Sequence, residues 1–168
     1  MNVYTADQKW NEKHMNTFLK AATLGVIAGM RSMSAPSTVS DYIAKKSPGG
    51  YDRFSFEWIV SPKATILWRA LAIGEMGGDK ASWAPARIQP APLGARAISG
   101  GVSGASICAA EGKPATAGAV IGVAAAVAST FAFYYLRRAA GVKLKAPDRV
   151  IGAVEDAIVL GLRKAVLS

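Results

Sequence analysis

A run of twenty-three residues without a charged side chain, from Pro114 to Leu136, constrains the fold of this chain more than any other feature. About twenty apolar residues are enough for a helix to cross the hydrocarbon core of a bilayer, and buried helices of soluble domains seldom need so many. The run therefore predicts a transmembrane helix. The hydrophobic content of 51% alone would also suit a soluble domain, so the prediction depends on how the apolar residues are distributed.

Further segments have the composition of helices that cross or enter a membrane. Pro36 to Ala44 is expected to form a short amphipathic helix with Val39, Tyr42 and Ile43 towards the membrane. The fold class is therefore all-α, a polytopic membrane bundle of about four to five transmembrane helices. Residues 1–15 form a polar N-terminal segment unlike a cleaved signal, and residues 16–168 form a single membrane-embedded domain. The other predicted helices are 16–33, 61–78, 93–110 and 148–167.

The basic residues lie mainly where the predicted helices end. Twenty basic and eleven acidic residues give a formal net charge of +9, which suits either nucleic acid or an anionic membrane surface. Arg137 and Arg138 follow the apolar run directly, and no nucleic-acid motif is present. We therefore expect membrane lipids as partners, no nucleic acid, and a multi-pass location in a bacterial inner membrane. A small excess of basic residues on its side favours a cytoplasmic N-terminus.

Few residues are suited to catalysis or metal binding. Cys108 is the only cysteine and His14 the only histidine, which excludes an intrachain disulfide, a bis-histidine haem and a three-histidine zinc site. No serine, histidine and carboxylate arrangement supports nucleophilic chemistry. The chain is therefore not expected to be an enzyme or to bind a metal. The sequence leaves its cofactors open, and bound lipid is compatible with every other expectation.

Glycines spaced four residues apart indicate where helices approach one another closely. A glycine pair with this spacing lies on one helix face and lets a neighbouring backbone come near. The segment 93–110 and the charge-free helix are expected to pack as an antiparallel hairpin. The predicted packing glycines are Gly25, Gly29, Gly100, Gly104, Gly118 and Gly122.

Charged residues within the predicted helices form a candidate polar network. An ionised group at mid-depth costs roughly 3 kcal/mol on insertion scales, so such groups are normally paired or face water. One interpretation is a set of ion pairs that fixes helix register, and the other is a proton or cation site lined by carboxylates. Arg96 is expected to meet Glu75 and Asp79, and Glu155 and Asp156 are expected to pair with Arg69 or Arg31. The candidate residues are Arg31, Arg69, Glu75, Asp79, Lys80, Arg96, Glu155 and Asp156.

Two motifs resemble those of a known family. The stretches GMRSMSAP, residues 29–36, and EMGGDK, residues 75–80, are followed by Arg96 and Gly100-Gly101. Over residues 20–165 the chain resembles a bacterial family of small integral-membrane proteins defined by domain of unknown function 4126. The resemblance implies a membrane location and carries no catalytic role, because the family has no established substrate. Residues 1–15 and 51–58 have no counterpart in it and are expected to serve a particular partner.

Two functions remain compatible with the sequence. In the first, the chain is an accessory or scaffold subunit of a larger membrane complex, docked through its aromatic and basic loops to other subunits or to lipids. In the second, it is a small oligomeric transporter or channel-like module, with Glu75, Asp79, Arg96 and Glu155 along a polar path. Its Trp and Tyr content favours the first. Paired carboxylates would support the accessory role, and water-accessible carboxylates would support transport.

Overall fold

Six α-helices make up the part of the chain that the computed structural model describes, which is residues 15–46, 59, 61–78, 88–143 and 147–168. No strand occurs in these ranges, which confirms the all-α prediction for them. The helices are α1 (Thr17–Met30), α2 (Ser34–Lys46), α3 (Pro62–Gly78), α4 (Pro90–Ala110), α5 (Ala115–Lys143) and α6 (Asp148–Leu167).

Helices α1, α4 and α5 form the centre of the bundle, where each contacts the other two. Gly104 lies against Gly118 and Gly100 against Gly122, so α4 and α5 run antiparallel, as predicted for this hairpin. Gly25 lies beside the same Gly122, and contacts further along α1 and α5 continue in the same direction. The start of α1 therefore lies at the same end of the bundle as the turn between α4 and α5.

Helix α2 is buried within the bundle rather than facing the membrane. It contacts α1, α3, α4 and α6, and every residue from Ser34 to Ile43 is buried. The expectation that Val39, Tyr42 and Ile43 point towards the membrane is therefore wrong. Small hydroxyl-bearing residues account for the difference, because a hydroxyl can be buried when it bonds its own helix. Thr38 does so by donating to the carbonyl oxygen of Ser34 at 2.7 Å.

The observed helix bounds differ from the predicted ones at several ends. Helix α2 spans Ser34–Lys46 instead of residues 36–44. Helix α1 ends at Met30 instead of Met33, because Arg31 adopts an extended backbone and begins a turn into α2. Helix α4 begins at Pro90 instead of Leu93, which is compatible with proline in a first turn. Residues 1–14 of the polar segment, the aromatic loop 51–58, and Asp79 and Lys80 lie outside the described residues.

One helix among the described residues is long and apolar enough to cross a membrane. It covers Ala115–Val142, almost all of α5. Helix α1 is apolar as well, but it has only 14 residues. The predicted number of four to five spans therefore stays a prediction, while the single candidate span agrees with the charge-free run in the sequence.

Candidate functional site

A cluster of polar side chains closes one end of the bundle around Glu111, the residue that caps the C-terminus of α4. Lys20 comes from the first turns of α1, and its ammonium lies 2.9 Å from both Tyr42 Oη and Glu111 Oε1. Lys46, at the end of α2, makes the same two contacts at 2.9 and 3.1 Å. The cluster therefore ties together α1, α2 and the turn after α4. We call Thr17, Lys20, Tyr42, Lys46 and Glu111 the Glu111 cluster.

The donors of this cluster keep Glu111 ionised. Burial by itself raises the pKa of a carboxyl group, but hydrogen bonds from Thr17, Tyr42, Lys20 and Lys46 outweigh it. Together they lower the pKa of Glu111 from 4.5 to about 2. Thr17 Oγ1 donates to Glu111 Oε2 at 2.5 Å, and the Tyr42 hydroxyl donates to Oε1. Both carboxylate oxygens are thus engaged by groups from other elements.

Both lysines of the cluster also lie over the Tyr42 ring, with Nζ atoms 4.6 and 5.2 Å from its centroid. An ammonium at this distance is attracted to the negative face of the ring. Burial lowers the pKa of Lys46, but its hydrogen bonds to Tyr42 and Glu111 outweigh that effect and raise it overall. The Lys46 ammonium therefore stays charged in the cluster.

A cavity of about 630 Å³ adjoins the Glu111 cluster. The described part of its wall contains four lysines and one carboxylate side chain, together with apolar groups from both ends of the described chain. The residues that line it are Met15, Asn16, Thr17, Phe18, Lys20, Tyr42, Lys45, Lys46, Glu111, Lys113, Leu167 and Ser168. The cavity is therefore strongly basic.

A second charged group joins α2, α3 and α6 through Asp41. Arg69 of α3 donates to Asp41 Oδ1 from Nε at 3.0 Å and from Nη2 at 2.5 Å. Arg163 of α6 donates to the other oxygen, Oδ2, and also to Ser37 Oγ at 3.2 Å. Arg69 thus pairs with Asp41, and the sequence-based expectation that it meets Glu155 or Asp156 is not met by these bonds.

The remaining predicted network residues lie at helix junctions. Arg31 pairs with Asp156 through Nη2 at 2.8 Å, which is one of the pairings expected from the sequence. Glu155 pairs with Arg137 at 3.4 Å. Glu75 accepts hydrogen bonds from the backbone amides of Ser32 and Met33, both at 2.8 Å. Its charge therefore stabilises the turn that leads into α2.

Arg96 is buried near the start of α4, one helical turn before Ser99. The Ser99 hydroxyl donates to the carbonyl oxygen of Ser32, which places this part of α4 against the turn between α1 and α2. The predicted network residues that the structure describes are thus distributed over several junctions of the bundle, and none of them lines the basic cavity.

The structure places all six predicted packing glycines at helix contacts. A Cβ atom on Gly25 would lie 2.5 Å from the carbonyl oxygen of Gly122, and one on Gly100 would lie 2.6 Å from the same atom. Gly104 and Gly118 each approach the other's carbonyl oxygen, and Gly29 approaches Ser129 and Ala126 of α5. Gly122 is therefore the position where the three central helices meet.

Sequence reasoning missed the Glu111 cluster and the role of Asp41. Neither Lys20 nor Glu111 was among the candidate network residues, yet the two groups form a largely buried ion pair. A usable signal was present, because Lys20 opens one apolar helix and Glu111 closes another. Opposite charges at the ends of antiparallel helices can meet, but the choice of partner helix required the fold.

The chain was compared with known proteins at the levels of sequence and structure. No family model, no curated protein and no solved structure matches it.

Proposed function

We propose that this chain is an integral membrane protein that serves as an accessory or scaffold subunit of a larger membrane complex. The proposal has two parts, a multi-pass location in an inner membrane and a structural role there. The resemblance to the family of domain of unknown function 4126 is consistent with the first part and carries no activity for the second.

The exposure of α5 supports the membrane location. A core helix of a soluble protein would be mostly buried, but only 22% of the most apolar window of α5 is buried in the bundle. Large apolar side chains are exposed on other helices as well, including Ile66 and Ile73 of α3 at 69% and 71%. Large exposed apolar surfaces mark sites that contact lipid or other proteins. Lipid tails or partner helices would cover these faces.

The pairing of the carboxylates is the observation that carries the structural role. A carboxylate on a proton or cation path must exchange its partner for water or for the transported ion. The structure describes the surroundings of five carboxylates, and each accepts hydrogen bonds from a basic side chain or from backbone amides. They are Asp41, Glu75, Glu111, Glu155 and Asp156. This arrangement favours fixed helix register over ion movement.

Purification from native membranes in mild detergent, with quantitative mass spectrometry of accompanying proteins, tests the proposal. We expect foreign membrane subunits at fixed stoichiometry with the chain. Ile66 and Ile73 are seven residues apart and share one face of α3, so Ile66→Asn with Ile73→Asn should release those subunits. The control variant, Ile66→Leu with Ile73→Leu, changes the same two positions but keeps the face apolar. It should therefore retain the foreign subunits.

Transport is the competing outcome of the same work. A homo-oligomer without foreign subunits, whose proton flux in liposomes is abolished by Glu75→Gln, would overturn the accessory role. Under the proposal, liposomes containing the chain show no flux above protein-free liposomes, and Glu75→Gln changes nothing in that assay.

A further inference from the structure

We propose that the basic cavity beside the Glu111 cluster binds a phosphate-bearing anion. Its volume of about 630 Å³ is within the range of small-molecule sites, which runs from roughly 300 to 1,000 Å³. The space is much larger than one phosphate group requires, so the ligand carries an organic portion as well.

The charge of the wall favours an anion. Lys20, Lys45, Lys46 and Lys113 face one carboxylate side chain, that of Glu111. Among the described side chains that line the cavity, this leaves a surplus of three positive charges, four minus one. Like charges this close repel one another. A ligand with one or two negative charges relieves that repulsion.

The lysines differ in how they are held, and this difference defines the site. Lys20 is 5% exposed and is fixed against Glu111 and Tyr42, so it forms the floor. Lys45 donates to a neutral acceptor, the carbonyl oxygen of Leu167 at 3.3 Å, and that bond does not neutralise its charge. Lys113 is exposed on the turn before α5. A phosphate group can thus be held by flexible ammonium groups at the rim above a fixed base.

Helix α1 adds to the positive electrostatic potential of the cavity. Its N-terminus lies at the cavity through Asn16, Thr17 and Phe18, and its first turn contains no acidic residue. The N-terminus of a helix carries a partial positive charge that favours phosphate. The exposed ring of Phe18 and the side chains of Met15 and Leu167 supply an apolar border for the organic portion of the ligand.

The position of the cavity favours a phospholipid headgroup as the source of the phosphate. Glu111 and Lys113 belong to the turn that immediately precedes Ala115, where the candidate membrane span begins. A cavity at this level would lie among headgroups. The lipid source rests on the membrane location proposed above, whereas the phosphate site does not, since a soluble phosphate ester would satisfy the same lysines.

Binding to the full chain, purified in a neutral detergent, tests the site. The lipid probes are dioleoylphosphatidylglycerol and dioleoylglycerol, which has the same acyl chains without phosphate, and bound lipid is counted by native mass spectrometry. The soluble probe is inorganic phosphate, followed by thermal unfolding. The double substitution Lys45→Gln with Lys113→Gln, called the rim variant, removes two charges from the rim of the cavity. Lys63→Gln with Arg149→Gln removes the same charge from exposed positions outside the cavity.

We expect phosphatidylglycerol to bind in preference to dioleoylglycerol, and the rim variant to weaken it by about tenfold, since each basic group near a headgroup contributes substantially. The control pair should change binding by less than about twofold, because its charges lie outside the cavity and are exposed to screening by solvent and salt. The chain could instead show no preference between the two lipids but be stabilised by inorganic phosphate. If the rim variant loses that stabilisation, the result supports the site with a soluble ligand. Binding of neither probe, or equal weakening in both variants, overturns the proposal.

The membrane location is tested separately by alkaline carbonate extraction of membranes. A chain that carbonate releases, but that still binds inorganic phosphate through Lys45 and Lys113, would refute the membrane location and leave the phosphate site standing. A chain that resists extraction and binds neither probe would support the membrane location and refute the phosphate site.

Discussion

At the scale of residues, the hydrogen bonds around Glu111 determine how the stability of the fold changes in acid. The pKa of Glu111 is about 2 in the folded protein and near 4.5 in the unfolded chain. The ionised group therefore contributes stability above pH 4.5, and this stability is lost as pH falls towards 2. The shift corresponds to roughly 3 kcal/mol. We predict that Glu111→Gln lowers the thermal unfolding temperature at pH 7. The difference in unfolding temperature between the variant and the unsubstituted protein should become smaller as pH falls from 4.5 to 2. Circular dichroism in mild detergent measures both. Parallel pH curves for the two proteins would contradict this account.

The two arginines on Asp41 are predicted to differ in their effects. The Arg163 side chain is 26% exposed and also donates to Ser37, whereas the Arg69 side chain is 57% exposed. Breaking a buried pair leaves a charge uncompensated, while an exposed pair is weakened by solvent. Arg163→Gln should therefore destabilise the fold by about 2 kcal/mol and Arg69→Gln by less than about 1 kcal/mol. Unfolding of the two single variants in mild detergent gives the comparison, and equal losses would refute it.

Individual charged residues were the hardest feature to predict from the sequence. The pairing of Arg31 with Asp156 was among the expected ones, but the contacts of Asp41 and Glu111 were not. Sequence spacing reveals which charges share a helix face. It does not reveal which helices become neighbours, and the partners of Glu111 come from two other helices.

At the scale of elements, glycine determines how closely α1, α4 and α5 approach. A Cβ atom at position 122 would collide with Gly100, whereas at Gly141 of the same helix nothing lies within 4 Å. We predict that Gly122→Ala destabilises the bundle by about 1–3 kcal/mol through overpacking. Gly141→Ala, as the matched control, should stabilise it by about 0.5–1 kcal/mol because alanine favours a helix. Unfolding of the two variants side by side tests this prediction, and a loss of similar size at position 141 would contradict it.

Helix contacts were easier to predict than helix environments. Four-residue glycine spacing indicated the faces of α4 and α5 that meet, because close packing imposes a local sequence requirement. The burial of α2 was not predicted, since its serines and threonines make it look like a surface helix. Several of their hydroxyls bond within the fold, as Ser40 does with Thr65 at 2.7 Å, and such pairing depends on the neighbouring helix.

At the scale of the whole molecule, the directions of the helices predict a topology. Because α1 and α5 run parallel, Asn16 and Lys113 lie at one end of the bundle, and Gln89, at the start of α4, lies at the other. In a Cys108→Ala background, Asn16→Cys and Lys113→Cys should react with a membrane-impermeant maleimide from the same side. Gln89→Cys should react from the opposite side if α4 crosses the membrane. Labelling of Gln89→Cys together with Lys113→Cys would refute a crossing by α4.

The bond between Lys20 and Glu111 also has a consequence for biogenesis. The two residues are separated by 91 positions, so a ribosome finishes Lys20 long before its partner exists. During that interval the Lys20 ammonium can reach the neutral hydroxyl of Tyr42 in α2, but not the carboxylate of Glu111. Glu111 emerges only with the turn between α4 and α5, so the ion pair that ties α1 to this turn forms late in synthesis. Helix α6 emerges later still, and its Asp156 then pairs with Arg31 at the other end of α1.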